Sequence, residues 1–158
     1  EADRTPLDVS YQPVLTHRVG IQLSGSDLPA ANATYDFVPN GGPMSMREIV
    51  QTTNCNECHN KLTAHGSRFN TKQCVTCHNP GSTDANSGNT VDFKVMIHKI
   101  HRGAELPSVQ AGGEYAIWGF GDTKHDYSHV EFPQDIRNCT KCHDGSDSAT
   151  SDGDNWKD

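Results

Sequence analysis

Cys55-Asn56-Glu57-Cys58-His59, Cys74-Val75-Thr76-Cys77-His78 and Cys139-Thr140-Lys141-Cys142-His143 are three copies of one pentapeptide, and they use all six cysteines of the 158-residue chain. The pattern C-x-x-C-H is the attachment site of c-type haem. Its chemistry needs this spacing: two thiols add across the two porphyrin vinyl groups, and the next residue, a histidine, is directed under the iron. A single copy would be only suggestive. Three copies that exhaust the cysteines predict three covalent haems c, with His59, His78 and His143 as proximal ligands. Structural zinc also uses Cys-x-x-Cys pairs, but two pairs complete a four-cysteine site, leaving the third pair and every adjacent histidine unexplained. Redox disulfides do not come in triplicate followed by histidine. Covalent haem attachment takes place outside the cytoplasm, which predicts the periplasm, the cell surface or beyond.

The chain has nine histidines. Beyond the motif histidines stand His17, His65, His98, His101, His125 and His129, against three methionines, Met44, Met46 and Met96. That excess favours histidine on both sides of each iron over the methionine that raises a haem potential. Asn89 to Arg102 reads as a helix, with Phe93, Met96, Ile97 and Ile100 at helical spacing, Asn89 or Thr90 as cap and Gly103 as stop. Within it His98 and His101 lie about 60° apart around the axis and about 4.5 Å along it, too close for opposite faces of one porphyrin but suited to two neighbouring ones. Phe93, Ile97 and Ile100 are expected to pack away from them. His65 follows the first motif and precedes Gly66, which leaves backbone room for a porphyrin. These three are the first-ranked distal ligands, followed by one of His125 and His129. His17 shares the odd-numbered face of a strand with Leu15, Val19, Ile21 and Leu23, and reads as a hydrogen-bonded histidine of a half-buried strand.

Composition agrees with a cofactor-filled interior. Hydrophobic residues make up 33% and aromatic residues 7%; even with glycine counted, this falls short of the about 45–50% of an ordinary globular chain. Three porphyrins would supply the missing apolar surface. The net charge of −7, made more acidic by haem propionates, speaks against a nucleic-acid partner. No run of apolar residues reaches the length of a membrane span. Glu1-Ala2-Asp3-Arg4 lacks the features of a signal peptide and reads as a processed end or an internal cut.

The predicted organisation is a β-strand segment over 1–43 and a trihaem cytochrome domain over 44–158. Leu15 to Leu23 and Thr34 to Val38 read as two strands joined through Ser24–Pro29. Asn40-Gly41-Gly42-Pro43 breaks the chain, and Ser45-Met46-Arg47-Glu48 matches a capping box opening a short helix that delivers Cys55. The rest is mostly irregular, haem-packed chain with a few short helices. Nineteen residues separate the first two motif starts and sixty-five the second from the third, which suggests adjacent first and second haems and a long insert supplying distal ligands. The Ser/Asp/Gly-rich tail, Asp144 to Asp158, reads as a solvated acidic end in which Asp147, Asp152 and Asp154 form no clear calcium loop.

Several strings together resemble outer-membrane decahaem and undecahaem cytochromes of metal-reducing bacteria, the OmcA/MtrC type. They are Tyr35-Asp36-Phe37-Val38-Pro39, Leu62-Thr63-Ala64-His65-Gly66, Gln73 through Gly81, Ile97-His98-Lys99-Ile100-His101-Arg102-Gly103, and Phe132-Pro133-Gln134-Asp135. The resemblance covers about residues 11 to 158. It implies β-domains alternating with multihaem domains, with residues 11 to 39 as the last strands of a preceding β-domain. It implies bis-histidine haems passing electrons to other multihaem cytochromes, ferric minerals, flavins or electrodes at the outer-membrane exterior. It also implies distal ligands at His65, His98 and His101, and His125 in preference to His129. The family's haem domains usually carry five haems, so a chain with three reads as a fragment or a small relative. A subunit of a haem filament and a multihaem reductase are the other readings. The reductase needs an iron with an open position, and every motif here ends in histidine.

Overall fold

The computed structural model describes residues 8–144. The expectations for Glu1 to Arg4 and for the acidic tail with Asp147, Asp152 and Asp154 lie outside them.

The first element is an antiparallel hairpin of β1 (His17–Leu23) and β2 (Ala31–Phe37), in register from His17 opposite Phe37 to Leu23 opposite Ala31. Alternation predicts the strands correctly but the buried face wrongly. The apolar face is open: Ile21 is 55% exposed and Tyr35 70%, and Val19 and Leu23 are exposed too. The polar face is turned inward because it carries the hydrogen bonds that hold the hairpin to residues 67–72. Arg18 pairs with Asp36 at 2.7 Å and reaches the Lys72 carbonyl. Gln22 donates to Ser67 and accepts from Arg68, and the Asn32 amide bridges the backbone of Ser67 and Phe69. Buried backbone and side-chain polar groups require such partners, and here they outweigh the burial of a few aliphatic side chains. His17 donates to the Gln12 carbonyl at 3.0 Å and lies against Tyr11 and Phe37, a hydrogen-bonded strand histidine as expected.

The helix expected from Ser45 starts later. Residues 43–50 are irregular, and α1 is Thr52–His59. Glu48 cannot close a capping box because its carboxylate is engaged by Lys72; the N-cap, Gln51, makes no side-chain capping bond. A one-turn helix, α2 (Thr71–Cys74), is capped by the Asn70 side chain accepting from the Lys72 amide. The third helix, α3, is Phe93–Arg102, shorter than the pattern predicts. Its cap is Asp92, which accepts from the Lys94 amide; Thr90 serves one step earlier, accepting from Asp92 N–H. Gly103 ends α3 as expected, at φ +36°, where a Cβ would lie 2.3 Å from the Val130 carbonyl oxygen.

Beyond α3 come a one-turn α4 (Pro107–Gln110) and a small hairpin that the glycine- and aromatic-rich sequence concealed, β3 (Ala116–Trp118) paired antiparallel with β4 (Lys124–Asp126). Asp84 pins the 82–90 loop, accepting from the amides of Asn86 and Ser87, the Ser87 hydroxyl and the Trp118 amide. Among the described residues the buried apolar side chains are Val38, Met96, Leu106, Tyr115 and Ala116. Five such residues are a small core for this length of chain. Met96, on α3, is among them, and the Lys99 ammonium of the same helix lies 4.4 Å from the ring centre of buried Tyr115.

Candidate haem-binding site

Each C-x-x-C-H pentapeptide is a turn of helix. The first lies inside α1; the second starts at the last residue of α2; the third occupies the 3-10 turn Cys139–Lys141 and the residues after it. In the second and third, the histidine amide bonds back to the carbonyl of the first cysteine, at 3.0 and 2.9 Å. Helical pitch places residues three apart on nearly one face, so both thiols of a motif face the same way with the histidine beside them. None of the six cysteines is paired in a disulfide, and burial raises the thiol pKa at Cys55, Cys74 and Cys142.

The imidazoles meet in pairs, each joining one motif histidine to one histidine from elsewhere. His59 and His101 have ring centres 5.9 Å apart, His78 and His65 6.0 Å, and His143 and His98 6.0 Å. Ring planes cross at 77° in the first pair and lie at 28° and 11° in the others. Two imidazoles bonded at about 2 Å to opposite sides of one metal ion hold their ring centres about 6 Å apart. All three pairs meet that requirement. Directly packed rings elsewhere in the chain stand at similar separations, such as Tyr35 and Phe37 at 5.9 Å, so what sets these three contacts apart is that each joins a motif histidine to a histidine outside the motifs.

Hydrogen bonds orient four of these rings. His98 and His101 donate through Nδ1 to the carbonyls of Lys94 and Ile97, one turn back on α3. His78 Nδ1 donates to the Val91 carbonyl and His143 Nδ1 to the Ile49 carbonyl, each at 2.8 Å. A carbonyl only accepts, so Nδ1 carries the proton and Nε2 keeps a lone pair, the tautomer in which imidazole binds a metal. Burial holds His101 below its ordinary pKa, with His59 and His98 adding to the effect against the Ile97 hydrogen bond. Burial, then Arg68, His78 and His125, lowers that of His65. Both shifts favour the neutral ring. Phe132 packs edge-on to His101, and Phe93 lies 6.4 Å from His78. Phe93 is thereby set beside the histidine of the second motif.

His125 sits in β4 opposite Ile117, with its ring against Gly119, and is exposed. His129 is exposed as well. Neither is brought against a motif histidine in the manner of the three pairs.

Motif spacing did not reveal how the motifs contact one another. Thr52 of α1 and Thr71 of α2 are hydrogen-bonded, joining the first motif to the second. The first is also joined to the third, across more than eighty residues. Glu57 pairs with Lys141, and the Asn54 amide donates to the Cys142 carbonyl and the Asp144 carboxylate at 2.9 and 2.7 Å. The one sequence signal is that an amide side chain precedes each motif: Asn54, Gln73 and Asn138. Among the described residues, no group of three or more His, Cys, Asp or Glu side chains is gathered as a metal-ion site, and no helix is long and apolar enough to cross a membrane.

Comparison with known proteins identifies the family. The crystal structure of the outer membrane decahaem cytochrome OmcA superposes with a TM-score of 0.78 at 31% identity, over 96% of this chain and 24% of that one. That of MtrC from Shewanella baltica OS185 gives 0.59 at 26% identity, over 94% of this chain and 21% of that one. The sequence of the multihaem cytochrome MtrC of Shewanella baltica is 32% identical over 114 residues, which are 65% of this chain and 17% of the relative. The chain thus spans about a fifth of the length of the proteins it matches. The family model for the outer membrane cytochrome MtrC/MtrF-like domains II/IV matches residues 47–158, and the chain belongs to that family of multihaem c-type electron-transport cytochromes.

Proposed function

We propose that this chain carries three bis-histidine c-type haems and serves as an electron-carrying segment at the outer-membrane exterior. Cys55 and Cys58 hold the first haem, Cys74 and Cys77 the second, Cys139 and Cys142 the third. His59 with His101, His78 with His65, and His143 with His98 would hold the three irons, one pair to each. The observation that carries this reading is the one-to-one pairing of each motif histidine with a histidine outside the motifs, at ring-centre separations of 5.9, 6.0 and 6.0 Å that leave room for an iron. When bound, haem supplies an iron that cycles between ferric and ferrous states. With an imidazole on each side of every iron, no position is left for a substrate, so the chain is a carrier and not an enzyme. The contacts of α1 with both α2 and the 141–144 segment support a spatial order of second, first, third motif, different from the order in sequence.

The open apolar face of the first hairpin supports its reading as the end of a β-domain whose remaining strands cover Val19, Ile21, Leu23 and Tyr35. The 1–43 and 44–158 divisions follow from that reading. Other multihaem cytochromes, ferric minerals and flavins are the expected partners. The test is a haem count by intact mass together with the spectrum of the oxidised chain. Three covalent haems, all low-spin at neutral pH, are expected; fewer haems, or a high-spin iron in the resting protein, would overturn the assignment.

A further inference from the structure

The third motif is built on a single 3-10 turn, Cys139–Lys141, with the Cys142 and His143 amides bonded back to the Cys139 carbonyl. Its contacts outward converge on 49–57, the stretch that leads into and forms α1. Lys141 pairs with Glu57, the Cys142 carbonyl and the Asp144 carboxylate accept from Asn54, and His143 Nδ1 donates to the Ile49 carbonyl. The second motif differs: His78 finds its carbonyl at Val91, thirteen residues away.

Asn54 is the centre of this contact. It is 5% exposed, and its one amide nitrogen serves two acceptors while Oδ1 accepts from the Thr53 hydroxyl. Only a primary amide on a side chain this short can donate twice from one atom at this position. The Cys142 carbonyl belongs to the peptide bond that joins His143, so fixing that carbonyl fixes the direction from which the imidazole leaves the backbone. Of the amides that precede the motifs, Asn138 is exposed and bonds to Gln134, while Gln73 is buried beneath Gly20. Neither is hydrogen-bonded to another motif.

We propose that the first haem's helix is the platform that aims the third haem's proximal ligand, with Asn54 as the positioning residue acting through the Cys142–His143 peptide. The proposal rests on the axial pairs assigned above. A partner that orients a metal-bound histidine typically changes metal affinity ten- to a hundred-fold when removed. The effect of Asn54 belongs to one iron, although Asn54 is the immediate neighbour of Cys55, which holds another.

The experiment measures cyanide binding to the oxidised, haem-loaded chain, counting the irons that react and their rates. In Asn54→Ala one iron of three should take cyanide about ten- to a hundred-fold faster than in wild type. Combined with His98→Ala, which frees the third iron outright, the count of fast irons should remain one. A count of two, three equally accelerated irons, or rates equal to wild type would overturn the proposal. Should Asn54→Ala mature incompletely, haem counting on its cysteine peptides decides: loss of the third haem supports the platform, and loss of the first contradicts it. Should it not accumulate, Glu57→Gln replaces it, with a smaller acceleration of the same iron expected and no acceleration contradicting. Wild type measured alongside tests the ligation itself: three slow irons support the axial pairs, and a fast one contradicts them.

Discussion

On the proposed assignment, two kinds of haem station stand side by side in this chain. The second is local: His65 and His78 lie thirteen residues apart, and the carbonyl that orients His78 is thirteen further on. The first and third are built together from distant sequence and are clamped twice. On one side α3 presents His98 and His101 a turn apart to His143 and His59; on the other, Asn54, Glu57 and Ile49 hold 141–144. The second pair draws both histidines and the His78 carbonyl from one stretch of chain, steadied by Thr52 and the first hairpin, whereas the clamped pairs share α3, so damage to that helix should reach two irons.

The largest effect should come from breaking the shared helix. Lys99→Pro removes a hydrogen bond inside α3 and costs about 3 kcal/mol or more. Two irons should turn high-spin together, read by electron paramagnetic resonance, while the His65–His78 station stays low-spin; loss of all three would erase the distinction. His65→Ala should do the reverse and convert only the second iron. If it disturbs another, the second station is not local.

The three motifs and the histidines that stand beside them, His65, His98 and His101, were legible because the motif is written into adjacent residues and α3 has a clear period, whereas which histidine faces which motif was not. What joins the motifs was not. Asn54, Glu57 and Lys141 are ordinary surface residue types, and nothing local marks contacts between residues 84 to 90 apart. The first hairpin shows a different limit. Alternation in Val19, Ile21 and Leu23 sets the period of the strand, but the inward face went to Arg18, Gln22 and Asn32, whose partners lie at 67–72. At α3 the competing caps Asn89 and Thr90 were upstream of Asp92, which alone has its side chain on a first-turn amide.

A smaller effect is expected at that cap. Asp92→Ala should cost about 1 kcal/mol, seen as a lowered denaturant midpoint. The fall should be followed by the first and third haems; a midpoint equal to wild type would mean α3 is held by its ligands alone. The smallest effect lies behind α3. Burial pushes the Tyr115 phenol up to about 12, while an unfolded tyrosine ionises near about 10. Between those values the unfolded chain releases a proton that the folded chain retains, so the contribution is complete below the lower value and is lost as pH rises toward the upper. Stability should decline across that window. Tyr115→Phe should flatten the decline without lowering stability near neutrality, since the buried hydroxyl has no hydrogen-bond partner among the described residues; an unchanged alkaline decline would assign it to other groups.

The central claim is that one short helix supplies ligands to two different irons. Its most direct measurement is the spin state of each iron in His98→Ala and in His101→Ala, by electron paramagnetic resonance of the oxidised chains. The account predicts one high-spin iron in each variant, the third haem's in the first and the first haem's in the second, and two in the double variant. One high-spin iron in the double variant, or none in either single variant, would contradict it.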